Sequence, residues 1–232
     1  MFLSSFPRWL KKIAVVAAAI VMLPRPAGAH GYLADPAARN VQRNSDSCPA
    51  CLNGGGAYVT GASRRIGTCG DPWNGAKRHE AFGRLAHPPR IARRYRQGQV
   101  VSVRVDLTAN HMGRWSLRLC PLPGSASPFV EHRYLNQACL DRHLLRRADG
   151  SGPYTYVPSS ESRFRVSYRL PRGVTCRRCV LQWLYETGNS CSPRGIPAKY
   201  TGHMLGTCGT RNAPAGEIFV NCADVQIIKK KQ

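Results

Sequence analysis

The chain has 232 residues, 34 Lys and Arg against 12 Asp and Glu, a formal charge of +22 and ten cysteines. So few acids argue against a hydrolytic carboxylate pair, and nothing beyond the first thirty residues is long and apolar enough to span a bilayer. So basic a chain suits anionic surfaces, nucleic acid among them. Its arginines, however, are scattered singly and in pairs, and the one basic run, Lys229 to Lys231, sits in the C-terminal tail (residues 229–232). There is no recognition helix and no RNA-binding aromatic motif, so neither nucleic acid nor membrane is an expected partner.

Residues 1–29 read as a secretory signal. Arg8, Lys11 and Lys12 precede the apolar run IAVVAAAIVML, and Ala27-Gly28-Ala29 forms an A-x-A cleavage site. Cleavage there makes His30 the first residue of a secreted protein. The leader takes four cations and no acid with it, leaving +18 on residues 30–232. At about 200 residues the remainder fits a single domain of the size common for all-β folds.

All ten cysteines follow the leader, and an even number in an exported chain reads as disulfides. Cys48-x-x-Cys51 and Cys176-x-x-Cys179 also have zinc-type spacing, but the leader favours oxidation. Asn40 to Arg94, with Gly54-Gly55-Gly56, reads as a long cystine-stapled loop with at most short helices. Stapling offsets the entropy of closing so long a loop. Cys120 with Cys139, and Cys191 with Cys208, are the pairs suggested by proximity across single loops.

Beyond the loop, period-2 patterns dominate. In VVSVRVDLTA, Val101, Val103, Val105 and Leu107 alternate with polar residues; RWSLRLC and RFRVSYRLP repeat the pattern, and VLQWLYE and IFVNCADVQII add two more apolar strands. Pro and Gly clusters separate them. The expected fold is all-β: two packed antiparallel sheets with long disulfide-stapled loops and short helices.

A free N-terminal histidine carries two metal-binding nitrogens on one residue, the α-amine and ring Nδ1. The amine, with an ordinary pKa of about 8, loses its proton readily to a metal. One more imidazole gives a nitrogen-rich tetragonal set, which suits Cu(II) better than zinc. His111, where the alternation breaks between Thr108 and Trp115, is the candidate third nitrogen at a hairpin tip. Of the other histidines, His79 is the one most suited to a structural or substrate-facing role, and the rest read as surface residues. Gln182, polar within an apolar strand, is a candidate group near the oxygen site.

These residues lie in a wider pattern: HGYLADPAARN, GTCGDPWNG…HEAFG, VDLTANHMGRWSLRLCP, CRRCVLQWLYETGNSC and EIFVNCADVQI. In order and spacing, over nearly all of His30 to Ile228, the chain resembles the lytic polysaccharide monooxygenases, most closely auxiliary activity family 15. The resemblance implies an immunoglobulin- or fibronectin-like sandwich with one copper ion in a histidine brace. It also implies an external electron donor, O2 or H2O2 as co-substrate, and oxidative cleavage of crystalline chitin or cellulose by a secreted monomer.

By the same resemblance His30 gives the α-amine and one ring nitrogen and His111 the third. Ala109 crowds one axial approach to copper, and Phe219 takes the other. Tyrosine is frequent there in the family, so Phe219 is a departure that removes a phenol and leaves the brace. Phe82 is a second departure, standing where the family pattern has glycine. Tyr32, Arg39 and Trp73 match family positions of structural or surface-forming character. The competing readings are a non-catalytic polysaccharide-binding module, a copper-binding protein on the same scaffold, and a basic adhesive or antimicrobial protein.

Overall fold

The computed structural model describes residues 30–41, 48–54, 65–124, 126–202, 206–210, 213 and 216–230, His30 through its backbone alone. The leader and His203 lie outside the described residues. Among the described residues, nine strands form two sheets. The four-stranded sheet has the order β1 (His30–Asp35), β3 (Val100–Ala109), β7 (Arg163–Arg169), β5 (Arg146–Arg147). The five-stranded sheet has the order β2 (Arg93–Arg96), β9 (Ile218–Ile228), β8 (Cys176–Glu186), β4 (Arg114–Leu122), β6 (Tyr154–Tyr156). All neighbours are antiparallel except β2 on β9, where the chain leaving the long loop runs alongside the last strand.

The sandwich core follows from the alternation. Val101, Val103, Val105 and Leu107 point inward from β3, against Trp115, Leu117 and Leu119 of β4 and Trp183, Tyr185 and Phe219 of β8 and β9. The five-stranded sheet is also covered on its outer face. There Cys120, Leu122, Val180 and Cys222 pack under α1 (Pro128–Tyr134), α2 (Gln137–Asp141) and the long loop. Strands buried on both faces lose their polar alternation, which is why the β8 and β9 segments are so uniformly apolar.

Five disulfides close the cysteines, and none is free: Cys48–Cys51, Cys69–Cys222, Cys120–Cys139, Cys176–Cys179 and Cys191–Cys208. Both pairs inferred from proximity are present. The long loop is tied to itself and, through Cys69–Cys222, to β9. The two CxxC pairs are closed on themselves, which removes the thiolates a zinc site needs.

A buried charge cluster clamps the loop. The Arg39 guanidinium donates to both carboxylate oxygens of Asp224 at 2.8 and 2.9 Å, to Glu131 at 2.8 and 3.2 Å, and to the His79 carbonyl at 2.6 Å. Arg178 donates to Asp224 at 2.8 Å and also to Glu131. Two arginines and two carboxylates, each at most 2 % exposed, thus neutralise one another. The cluster joins the long loop, α1, β8 and β9. His87 belongs to it, its Nε2 lying 3.0 Å from Glu131. That corrects the expectation of a surface residue, because a loop histidine folded under a helix finds a carboxylate instead of water. Burial pushes the His87 imidazole below its ordinary pKa, and this outweighs the opposing pull of Glu131. Burial alone would raise the Asp224 carboxyl, but Arg39 and Arg178 outweigh it and hold it below the usual carboxylate range.

Removing one member strands the others. Arg39→Leu should destabilise the protein by about 3–5 kcal/mol, the cost of leaving buried carboxylates without their cation. Because the folded Asp224 pKa is depressed, its contribution is present above the unfolded value near 4 and is lost as pH falls through the folded one. Urea unfolding from pH 7 to pH 3 should show this acid loss in the parent, and Arg39→Leu should show a smaller pH dependence on a lower baseline. Equal stability of the two chains at pH 7 would contradict the clamp.

Candidate metal centre at the end of the sandwich

The backbone of His30 and the turn carrying His111 lie at one end of the sandwich. β1 runs antiparallel to β3, and the register sets His30 opposite Ala109, with an irregularity between His30 and Gly31. Partnered Cα atoms in such a ladder lie about 5 Å apart. The backbone of His30 therefore lies beside a residue two positions from His111. Gly31 makes the approach feasible: a Cβ there would come within 2.4 Å of Leu107 Cδ2 and 3.3 Å of Trp183 Cη2.

His111 sits in the β3–β4 turn, whose shape is fixed locally. Asn110 Oδ1 accepts from the Met112 backbone N–H at 2.7 Å, and its Nδ2 donates to the carbonyls of Pro158, at 2.7 Å, and Glu161. Met112 and Gly113 both take positive φ, 52° and 96°. At Gly113 a side chain is impossible, since its Cβ would fall 2.1 Å from the Glu186 carbonyl oxygen. The segment after β8 backs the turn: Gly188 N–H donates to the His111 carbonyl at 2.9 Å, and Gly113 N–H to the Tyr200 carbonyl at 2.8 Å. Cys191–Cys208 staples that segment.

Two residues that sequence reasoning passed over hold His111. The first is Tyr185, a core ring whose hydroxyl donates to the Met112 carbonyl at 2.6 Å and lies 3.4 Å from the His111 backbone nitrogen. Burial pushes this phenol far above its usual pKa, so it stays protonated. The second is Asn189, whose side-chain amide meets His111 Nδ1 at 2.8 Å. Its other end, Oδ1, is buried with no hydrogen-bond partner among the described residues. Neither carries a local signal. Tyr185 reads as one more inward residue of an apolar strand, and Asn189 as a loop residue in TGNSC.

Phe219 is fully buried near the start of β9 and stacks on Tyr185, ring centroids 6.1 Å apart. It thus reaches this end of the sandwich through the same phenol that holds the His111 turn. Gln182 does not. Its register partners are Arg118 and Cys222, and it points to the outer face of the five-stranded sheet, where Nε2 donates to the Thr68 carbonyl at 2.8 Å. The polar group in an apolar strand has a structural reason: it ties down the long loop on the face opposite Trp183 and Tyr185. The expectation of a group beside the oxygen site is corrected accordingly.

The remaining sequence-noted residues lie away from the His111 turn or on the surface. His79 is buried, with Nδ1 2.8 Å from Asp71 and its backbone N–H donating to the same carboxylate at 2.7 Å. Tyr32 donates to Asp106 at 3.3 Å, and Trp73 is 41 % exposed beneath the Arg65 guanidinium. Phe82 has φ 68° and makes an edge-to-face contact with Phe129 of α1 at 5.1 Å. A positive φ is where glycine sits freely, which accounts for the glycine of the family pattern.

A family model described as lytic polysaccharide mono-oxygenase, cellulose-degrading, matches residues 30–225. The chain belongs to the lytic polysaccharide monooxygenases. A solved structure of such a monooxygenase of family AA15 from Thermobia domestica, in its Cu(I) state, is 31 % identical. The match covers 85 % of this chain and 98 % of that one, with a TM-score of 0.65. This bears out the resemblance to auxiliary activity family 15 and the sandwich fold. A chitin-binding domain from Burkholderia pseudomallei matches at 12 % identity and a TM-score of 0.46, over 87 % of this chain and all of that one. A copper complex of a cellulose-active lytic polysaccharide monooxygenase matches at 12 % and 0.41, with the same coverage. Among curated proteins there is no match.

Proposed function

We propose that this lytic polysaccharide monooxygenase is a secreted, copper-dependent enzyme that oxidatively cleaves glycosidic linkages in chitin, cellulose or both, acting as a single-domain monomer. The observation that carries the reading is the register of β1 on β3, which sets His30 opposite Ala109 and two residues from His111. After removal of residues 1–29, the α-amine and ring of His30 and the ring of His111 form the three-nitrogen donor set. The donor set fits copper because all three ligands are nitrogens and none is the thiolate that zinc and iron–sulfur sites draw on. The chemistry copper supplies there is one-electron exchange with an external donor and activation of O2 or H2O2.

The chain's own part is to orient those donors. Asn189 meets His111 Nδ1, and a metal-bound histidine ordinarily donates its other ring N–H to such a partner. With its amide turned so that Oδ1 faces the ring, Asn189 accepts from Nδ1–H. That fixes the tautomer in which Nε2 keeps its lone pair. Tyr185 holds the turn from beneath. Phe219, a buried benzyl ring with no donor atom, and Ala109, the small residue paired with His30, would border a metal held there without adding a ligand.

Two experiments test the reading. Copper-loaded protein starting at His30, given ascorbate and either chitin or cellulose, should release oligosaccharides bearing an oxidised end, as seen by mass spectrometry; only unoxidised fragments, or none from either polymer, would overturn it. Asn189→Ala should lower copper affinity by about 10–100-fold and alter the Cu(II) electron paramagnetic resonance spectrum. Asn189→Asp, which keeps an acceptor, should restore most of the affinity. An unchanged affinity in Asn189→Ala would remove the positioning role.

A further inference from the structure

Chitin and cellulose are neutral, so the site just described leaves the chain's charge without a use. Part of that charge is concentrated on one surface. The residues of β3 and β7 that do not enter the core point outward from the four-stranded sheet, and they pair across the ladder as Arg104 with Arg165, Asp106 with Arg163, and Ser102 with Ser167. At the far end Arg169 stands between Val100 and Arg146. Arg146, Arg163, Arg165 and Arg169 are all exposed. None of these four makes an ion pair among the described residues, whereas Arg104 lies 3.6 Å from Asp106. Asp106, the acid in the middle of the face, is already engaged by Arg104 and by the Tyr32 hydroxyl.

Like charges set directly opposite in a sheet destabilise it, and this face holds two such pairs, Arg104 with Arg165 and Arg146 with Arg169. The surface is also concave in places. An open hollow of about 370 Å³ is lined by Arg104, Asp106, Arg163, Phe164 and Arg165, and another of about 390 Å³ by Gln97, Gly98, Arg169, Arg172 and Lys230. Guanidinium groups are planar forks that match carboxylate and sulfate oxygens two at a time. Along β7, Arg163 and Arg165 stand two residues apart, about 7 Å, and Arg169 follows beyond Ser167, while the neighbouring strand lies about 4.8 Å away.

We propose that the outer face of the four-stranded sheet is a docking surface for an anionic polysaccharide, a linear chain carrying carboxylate or sulfate groups. Charge complementarity selects the anion. The outward residues of β3 and β7 include no aromatic ring, and Tyr32 of β1 is tied to Asp106 by its hydroxyl, so the face has no row of rings on which successive bases could stack. Among the described residues no helix stands on it to enter a groove, so nucleic acid is the poorer fit. The face is a side wall of the sandwich, with His30 and His111 at its end. An acidic polymer held there would tether the protein within a matrix while leaving the metal end open.

The test compares the chain from His30 with two charge-matched variants. One replaces Arg104, Arg163, Arg165 and Arg169 with Ser; the other replaces Arg90, Arg142, Arg177 and Arg194, exposed residues elsewhere. The probes are dextran sulfate, polygalacturonate, neutral dextran, duplex DNA and phosphatidylserine vesicles, at several salt concentrations. The parent should bind the two acidic polysaccharides more tightly than DNA or vesicles, and neutral dextran not at all. The face variant should lose about tenfold or more in affinity, with a salt slope shallower by about 3 to 4, while the control loses much less. Copper affinity should be the same in all three. Should the fourfold face variant fail to fold, Arg163→Gln with Arg165→Gln, against Arg90→Gln with Arg142→Gln, gives the same contrast. Equal losses in face and control variants, tighter binding of DNA or vesicles, or no binding of either acidic polysaccharide would each overturn the proposal.

Discussion

The pairing of β1 with β3 is the constraint on which the candidate centre depends. The segment from His30 is laid into a sheet whose other members are fixed by the core, which gives its first residue a defined place. Gly31 lets the strand lie close against Leu107 and Trp183. Asn221 completes the seat, its Oδ1 accepting from the Leu33 backbone N–H at 2.9 Å. Tyr185 and Phe219 fill the space beneath and connect the His111 turn to β8 and β9.

The charge cluster around Arg39 does the same for the opposite side of the molecule. Phe219 and Asp224 are both on β9, five residues apart, which along a strand is about 17 Å, and they point to opposite faces. The inward residue faces the core at the metal end, while the outward one anchors the long loop. A buried ion set is not by itself a strong source of stability, because desolvation cancels most of its Coulomb energy. Its effect is to specify where the loop lies, since any displacement would leave a buried charge unpaired. Gln182 and Cys69–Cys222 add further ties on that face.

Much of this was readable in the amino-acid order. Alternation in VVSVRVDLTA and RFRVSYRLP marks strands with one wet face, and that is where β3 and β7 lie. Strands with no such signature were missed: β1, whose HGYLAD does not alternate, and β2, β5 and β6, which are short and held by their neighbours. His111 stood out because the pattern broke around it. Asn189 and Tyr185 did not, because their roles depend on a contact between segments more than seventy residues apart in sequence. Gln182 was read correctly as a polar group needing a reason, but alternation alone does not say which of two buried faces of a strand meets the site and which meets a loop. The burial of Arg39 was equally hidden, since a lone arginine near a strand end looks like surface until Asp224 and Glu131 are brought to it.

The central claim is that the α-amine of His30 is a metal ligand, so the most direct measurement counts the nitrogens on Cu(II). Electron–nuclear double resonance on the chain beginning at His30, and on the same chain with Ala29 left in place, isolates that one group. In the second chain the amine becomes an amide whose lone pair is tied up in resonance, while both imidazoles remain. The account predicts three strongly coupled nitrogens in the first chain and the loss of one in the second, with copper affinity falling by orders of magnitude. The same nitrogen count and the same affinity in both chains would contradict it.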